Sequence, residues 1–170
     1  MKTGDIIPPE PAAWLRVTTG DRRMIDLKFI GYRSPTCTLE VEKGRLRQFA
    51  KAIGETRPVC MDDQAARQAG YPGLLMPPTF LFCLEMDRPE PYGWFDEVGI
   101  PLPQVLHAEQ GFTYHAPAFA GDALTFNAVI SDIHSRKGGL LEFVVQDNTI
   151  TNQHGQAIAD FRRTLVIRHG

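Results

Sequence analysis

The segment that most limits the possible folds is one strongly apolar run, Phe80–Met86, which directly follows Pro77, Pro78 and Thr79. Proline suits the first turn of a helix, because its missing N–H would be unpaired there anyway. The pattern therefore predicts a buried helix over about Pro78–Met86. Because both prolines lack an N–H, this helix start offers fewer free amide donors to a carbonyl oxygen or an anion than other helix starts do.

Two further helices are predicted upstream of this run. Lys43–Ile53 carries apolar side chains at helical spacing and ends at Gly54, a residue suited to the position after a helix. A short second helix is predicted to begin at Asp62 or Asp63, which would cap it, and to stop at Gly70.

The second half of the chain is predicted to be β, because apolar residues alternate with polar ones between turn signals such as Lys137-Gly138-Gly139. A sheet of this size must bury one face, and the apolar helix is the natural filling. We therefore expect an α+β protein with the hot-dog fold, an antiparallel sheet wrapped around a central apolar helix, which forms a side-by-side dimer. The predicted strands are Thr36–Val41, Val105–Tyr114, Leu124–Ile130, Leu140–Val145, Thr149–Asn152 and Ile158–Ile167.

Two segments lie outside this pattern. Residues 1–29 are predicted to form an N-terminal extension with a short amphipathic segment around Trp14 and Leu15, and residues 30–170 to form the hot-dog domain. Pro89–Pro103 is predicted to be a long connection that carries Tyr92, Trp94 and Phe95. Such a connection acts as a lid or contact surface, or it packs over the core.

Composition excludes several classes of protein. The net charge is −2, which gives no reason to expect a nucleic-acid partner. Three widely spaced cysteines, Cys37, Cys60 and Cys83, fit a reducing cytoplasm rather than a disulfide framework, and no spacing suits a metal site. The longest uncharged run is too short and too rich in proline to span a bilayer. We expect a cytoplasmic protein with no metal and no cofactor.

Two motifs resemble the N-terminal-type domain of the MaoC-like dehydratases. The first is Gly54-Glu55-Thr56-Arg57-Pro58, continued by Ala69-Gly70-Tyr71 and Pro77-Pro78-Thr79-Phe80; the second is His107–Pro117 followed by Gly121-Asp122. The resemblance covers about Ile30–Arg168. It implies a hot-dog fold, acyl thioesters of coenzyme A or acyl carrier protein as substrates, and (R)-specific hydration of an enoyl thioester or the reverse dehydration.

The resemblance also locates the family's catalytic positions. Catalytic relatives carry the segment Asp-x-Asn-Pro-x-His. One of its Asp and His side chains orients and deprotonates water, and the other handles the proton at the α-carbon. Aligned on its proline, this segment places Glu55 at the Asp position and Cys60 at the His position. The family's glycine at the start of the central helix is replaced by Pro78, so its amide donor is lost and Thr79 is the remaining candidate. These departures predict a degenerate site.

Other candidate residues follow from the same motifs. Arg57 is a candidate for binding a phosphate of the carrier, or it is a surface arginine. His107 lies in phase with Glu109 along its strand, and it either faces the mouth of a tunnel or has a structural role. Tyr71, Pro78 and Phe80 are the other candidates for contact with substrate. His115, His134 and His154 are predicted to lie on the surface, and Asp122 to shape a turn.

Three functions remain open. The chain is a hydratase or dehydratase subunit that depends on a second hot-dog protein, in a homodimer or a heterodimer, or it is a non-catalytic dimer that binds acyl-CoA. A thioesterase is the third possibility, with Glu55 or Glu85 as its carboxylate. Because the chain ends at Gly170 without a second hot-dog unit, we expect the catalytic dyad to come from another polypeptide.

Overall fold

The computed structural model describes residues 24–170, and the segment around Trp14 and Leu15 lies outside them. In the described residues, four α-helices lie between the first and the second of five strands. The helices are α1 Lys43–Ala52, α2 Asp63–Gln68, α3 Phe80–Glu85 and α4 Gly93–Val98. The strands are β1 Cys37–Glu40, β2 Val105–Tyr114, β3 Ala123–Arg136, β4 Leu141–Thr151 and β5 Ala157–Arg168. No helix within residues 24–170 is long and apolar enough to cross a membrane.

All five strands join one antiparallel sheet in the order β1-β3-β4-β5-β2. One face of the sheet packs on α3, whose residues Phe80, Leu81 and Leu84 are buried. This arrangement confirms the predicted hot-dog fold. Because strands alternate their side chains between faces, residues that pair across the sheet share one face, and this register positions the groups described below.

The central helix begins at Phe80 rather than at Pro78. The Phe80 N–H donates to the carbonyl of Pro77 at 3.0 Å, so a tight turn comes before the first helical residue. The prolines thus lie in this turn and outside the helix, a shift within the ordinary uncertainty of helix ends.

The two upstream helices are confirmed, and they end one and two residues before Ile53 and Gly70, at Ala52 and Gln68. Asp62 caps α2, since its Oδ1 accepts the Ala65 N–H at 2.7 Å. Gly54 follows α1 with a φ of +69°, a backbone conformation that glycine adopts without strain.

The connection at Pro89–Pro103 contains a helix that the sequence pattern missed. Helix α4 places Trp94, Phe95 and Val98 in the core, while Tyr92 remains 43% exposed. The aromatic residues are too close together for a full helical period to be visible over a segment of six residues. Of the two expected roles, packing over the core is the one the structure shows for Trp94 and Phe95.

The prediction of two strands at Leu140–Val145 and Thr149–Asn152 was wrong, because β4 runs without a break through both. The polar run Gln146-Asp147-Asn148 resembles a loop in sequence. In the structure, Gln146 and Asn148 are buried at 1% exposure each, whereas Asp147 pairs with Arg162 on the other face. Strand β3 is likewise longer than predicted and continues past a register shift between Ile130 and Asp132 to reach Arg136.

Two hydrophobic clusters fill the space between the helices and the sheet. The first surrounds α1 and α3 and includes Leu46, Phe80 and Phe126. The second surrounds α4 and includes Trp94 and Ile25, so the packed part of the chain includes a residue of the predicted extension.

Candidate functional site

A cleft of about 310 Å³ lies between the segment that precedes α3 and the end of β2. Its floor is mostly apolar, and Arg57 and His115 line it as well. A pocket of this size is at the small end of the range for ligand sites. The lining residues are Arg57, Leu75, Met76, Pro78, Tyr114, His115, Ala116, Pro117, Ala118 and Ile158.

Backbone hydrogen bonds hold the two walls of the cleft together. The Leu75 N–H donates to the Val59 carbonyl at 2.9 Å, and the Met76 N–H donates to the Ala118 carbonyl at 2.9 Å. The first bond fixes the segment of the family's dyad, and the second joins the approach to α3 to the loop after β2. The cleft is thus built where the two sequence motifs meet.

Glu55 is held by Arg57 in a closed local ion pair. Its Oε2 accepts from Arg57 Nη2 at 2.6 Å, and its Oε1 accepts from the backbone N–H groups of Thr56 at 3.0 Å and Arg57 at 2.9 Å. The hydrogen bonds from the Arg57 side chain are the main reason that the pKa of Glu55 falls to about 2. A general base works best with a pKa near the operating pH, so this carboxylate is poorly suited to deprotonate water.

Replacing Glu55 by Gln is expected to remove a contribution to folding stability that is present at neutral pH and lost in acid. The folded-state pKa is about 2 against an ordinary value of 4.5. A carboxylate with a lowered pKa stabilises the folded state above its unfolded-state pKa, and this effect disappears as the pH falls through the folded value. The difference in unfolding free energy between wild type and Glu55→Gln, measured by urea denaturation, should therefore shrink from about pH 4.5 to about pH 2. A difference independent of pH would contradict the ion pair.

Cys60 lies in the short 3-10 turn Pro58–Cys60 and is fully buried. Burial is the main cause that raises the pKa of its thiol above the ordinary value. A thiol of this kind stays protonated at neutral pH and is a weak nucleophile. It has neither the proton-transfer chemistry of a histidine nor contact with solvent.

The start of α3 supplies little to polarise a carbonyl. Pro77 and Pro78 have no N–H, and the Phe80 N–H is used by the Pro77 carbonyl. Thr79 is exposed, and its side chain makes no capping hydrogen bond among the described residues. Its assignment as an oxyanion donor stays a prediction.

The remaining candidates lie at three different depths. Tyr71 is half-buried and packs on Phe119, with ring centroids 5.4 Å apart. Phe80 is 1% exposed and packs on Phe49 in the first cluster. Pro78 lines the cleft and is exposed.

His107 lies on the inner face of the sheet and stacks on Phe82 of α3 at a centroid distance of 5.2 Å. The prediction that it is in phase with Glu109 was wrong. A register shift separates the two residues, so His107 pairs with Leu165 and Glu109 with Thr164, and they point to opposite faces.

A His–Asp pair at the cleft was missed by the sequence interpretation, which placed His115 simply on the surface. His115 Nε2 lies 2.8 Å from Asp160 Oδ2, and His115 lines the cleft. The position of His115 between Tyr114 and Pro117 in the second motif was the available signal. Its partner Asp160 comes from β5 and could not be identified without the strand register.

Glu85, the carboxylate of the thioesterase alternative, is buried and paired. Its Oε2 accepts from Arg163 Nη1 at 3.2 Å, and Arg88 Nη2 lies 3.9 Å from its Oε1. The basic residues of α1 are also largely paired: Arg45 with Asp87 at 2.5 Å, and Lys43 and Arg47 with Asp63 at 2.8 Å each. Asp122 shapes the turn as predicted, because its Oδ2 accepts the Phe119 N–H at 2.8 Å.

The family model of the FAS1-like dehydratase domain region matches residues 28–161. The chain belongs to this dehydratase-region family. A UPF0336 protein of Saccharopolyspora erythraea is 34% identical over 145 residues, which span 85% of this chain and 92% of that protein.

Two solved structures place the fold among the MaoC-like dehydratases. The C-terminally truncated HadBC complex of Mycobacterium tuberculosis, a 3R-hydroxyacyl-ACP dehydratase, is 27% identical with a TM-score of 0.66, over 81% of this chain and 96% of that chain. A MaoC-like dehydratase has a TM-score of 0.70 at 23% identity, over 82% of this chain and 42% of that chain, and it shows the fold alone. The predicted resemblance is confirmed.

Proposed function

We propose that the chain is a subunit of a 3-hydroxyacyl-thioester dehydratase or enoyl-thioester hydratase, and that it shapes the substrate pocket while a second hot-dog protein supplies the catalytic dyad. The observation that carries this proposal is the state of the dyad positions. Arg57 occupies the Glu55 carboxylate, and Cys60 is a buried thiol with a raised pKa. Neither group is suited to move a proton between water and a carbon atom at neutral pH.

The cleft nevertheless fits the carrier arm of an acyl thioester. Its apolar floor suits the thioester arm and the first part of an acyl chain. The Arg57 side chain lines the same cleft and is 53% exposed. Its Nε and Nη2 donate to Glu55, and its Nη1 is the donor proposed for a phosphate at the rim. These features support a role of the cleft in binding the substrate, whereas the dyad positions Glu55 and Cys60 do not support proton transfer.

The exposed edge of the sheet supports pairing with a second hot-dog protein. Strand β2 is an edge strand of ten residues, and most of its residues are exposed. Such an edge presents unpaired backbone groups that other strands cover. The similar HadBC protein is a complex, which favours a heterodimer over a homodimer for this chain. The free thiols Cys37, Cys60 and Cys83 support a cytoplasmic location.

The purified chain is expected to leave crotonyl-CoA and longer enoyl-CoAs unchanged when it is alone. Co-expression with a hot-dog protein that carries an intact Asp and His should give a complex that hydrates them, followed as loss of enoyl absorbance. Removing the partner's His should abolish the rate, because it holds the proton-transfer group. Turnover by this chain alone that Glu55→Gln abolishes would contradict the proposal.

The same assay distinguishes the two other functions. Release of free thiol would favour a thioesterase, although the pairing of Glu85 with Arg163 leaves that carboxylate no free role as a base. Binding of acyl-CoA without hydration in any complex would favour the non-catalytic binding protein.

A further inference from the structure

A layer of buried polar side chains crosses the inner face of the sheet between the two hydrophobic clusters. Strand register places Gln110 opposite Arg163, and Arg163 opposite Gln146. Asn148 lies two residues beyond Gln146 on the same face. We call these four residues, together with Glu85 and Arg88 near the end of α3, the polar layer.

The hydrogen bonding of the polar layer is incomplete. Arg163 donates to Glu85 and to Gln146, and Gln146 donates to Ser34 at 3.2 Å. The side-chain amide of Asn148 has no partner for either its nitrogen or its oxygen within residues 24–170, and the same holds for Gln110 and for the Nε atoms of Arg88 and Arg163. Because Asn148 is 1% exposed and Arg163 is 5% exposed, bulk water does not satisfy them. Buried polar groups are almost always paired.

The polar layer also carries one more positive charge than negative. The guanidinium groups of Arg88 and Arg163 share the single carboxylate of Glu85, and all three side chains are at most 10% exposed. An unbalanced buried charge is costly, and an added carboxylate would balance it. A carboxylate also accepts strong hydrogen bonds from guanidinium and amide N–H groups. The free capacity of the polar layer therefore matches a carboxylate better than a methyl group.

A continuous face of β2 joins the cleft to the polar layer. Tyr114 lines the cleft, Phe112 stacks on it with ring centroids 5.6 Å apart, and Gln110 is next on the same face. Four residues of strand span about 13 Å. This face of β2 therefore leads from the cleft to the unpaired amide of Gln110.

We propose that the polar layer binds the carboxylate at the far end of an ω-carboxyacyl thioester whose thioester end lies in the cleft. The inference rests on the proposed function, because it takes the cleft as the thioester site. It assigns Gln110 and Asn148 as residues that determine specificity for the acyl group.

Equilibrium binding to the complex of the full chain with its hot-dog partner tests this assignment. The probes are saturated acyl-CoAs in pairs of equal chain length, one ending in a methyl group and the other in a carboxylate, over a series of lengths. At the length that reaches the polar layer, the carboxylate probe is expected to bind at least about tenfold more tightly, the effect of one hydrogen-bonded charged group. Asn148→Leu and Gln110→Leu should each reduce this preference, and the exposed Gln68→Leu should leave it unchanged.

The outcomes separate the two proposals. Equal or weaker binding of the carboxylate probe at every length would overturn the assignment of the polar layer, and hydration of enoyl-CoA by the complex would still support the proposed function. A preference for the carboxylate that survives both Gln110→Leu and Asn148→Leu would place the carboxylate elsewhere and overturn the assignment. Gln110, at the edge strand, provides the decisive variant if Asn148→Leu does not fold. A complex that neither binds the probes nor hydrates enoyl-CoA would overturn both proposals.

Discussion

Replacing Arg163 by Met is expected to lower the unfolding free energy by about 3–5 kcal/mol, the cost of removing one partner of a buried ion pair. Arg163 is 5% exposed and holds Glu85 through two contacts, at 3.2 Å and 3.5 Å. Burial acts to lower the pKa of Arg163 and the charge of Glu85 acts to raise it, so each charge depends on the other. Without the Arg163 guanidinium, the buried Glu85 carboxylate loses both hydrogen bonds and keeps, within residues 24–170, the more distant Arg88 Nη2 at 3.9 Å. Urea denaturation followed by circular dichroism measures the loss.

Strand β5 itself supplies the matched control. Arg162 is the neighbouring residue, points to the other face and pairs with Asp147 at 2.6 Å, but its side chain is 65% exposed. Arg162→Met should therefore change stability by no more than about 1 kcal/mol. The double variant Glu85→Leu with Arg163→Met should not recover the full loss, because it leaves the guanidinium of Arg88, whose side chain is 10% exposed, without its carboxylate. Equal effects of the two single arginine variants would show that the pair is not buried in solution.

Phe80→Ala is expected to destabilise the protein by about 3–5 kcal/mol, as the loss of a fully buried aromatic side chain leaves a cavity. Phe80 is 1% exposed and packs on Phe49, with ring centroids 5.3 Å apart. It is the first residue of the central helix, so the cavity would open where α1, α3 and the sheet meet. Thermal and urea denaturation should agree on the loss.

Phe82, two positions along the same helix, is the control for this variant. It is half-buried and stacks on His107 rather than in the core. Phe82→Ala is expected to cost only about 1–2 kcal/mol. A larger loss of unfolding free energy for Phe82→Ala than for Phe80→Ala would show that Phe80 does not lie in the packed core.

The fold was accessible from the sequence because its signals are local. The apolar run after Pro78 and the capping residue Asp62 each act within a few residues, and the structure has both the buried helix and the cap. Helix α4 was missed because its six residues are too few for periodicity to show. The break predicted in β4 arose from Gln146 and Asn148, which are polar but buried. A rule that places polar residues outside fails where the core itself contains a polar layer.

The candidate site was predictable only in part. The motifs located Glu55, Arg57 and Cys60, but the closure of Glu55 by Arg57 depends on side-chain geometry that spacing does not specify. The partners of His115 and Glu85 come from β5, more than forty residues away in one case and more than seventy in the other. Such pairs are set by strand register. A register shift of one residue between His107 and Glu109 was enough to place their side chains on opposite faces of the sheet.

The two borders of the sheet differ greatly in length. Strand β1 has four residues, and residues 31–34 bond further along β3, whereas β2 has ten. A sheet with one long free edge can pair with one further sheet. Once that edge is covered, a third chain has only the short border at β1 to pair with. In the proposed pair with a second hot-dog protein through β2, the short β1 leaves little free edge for a further chain, and a longer β1 would allow the row of sheets to continue.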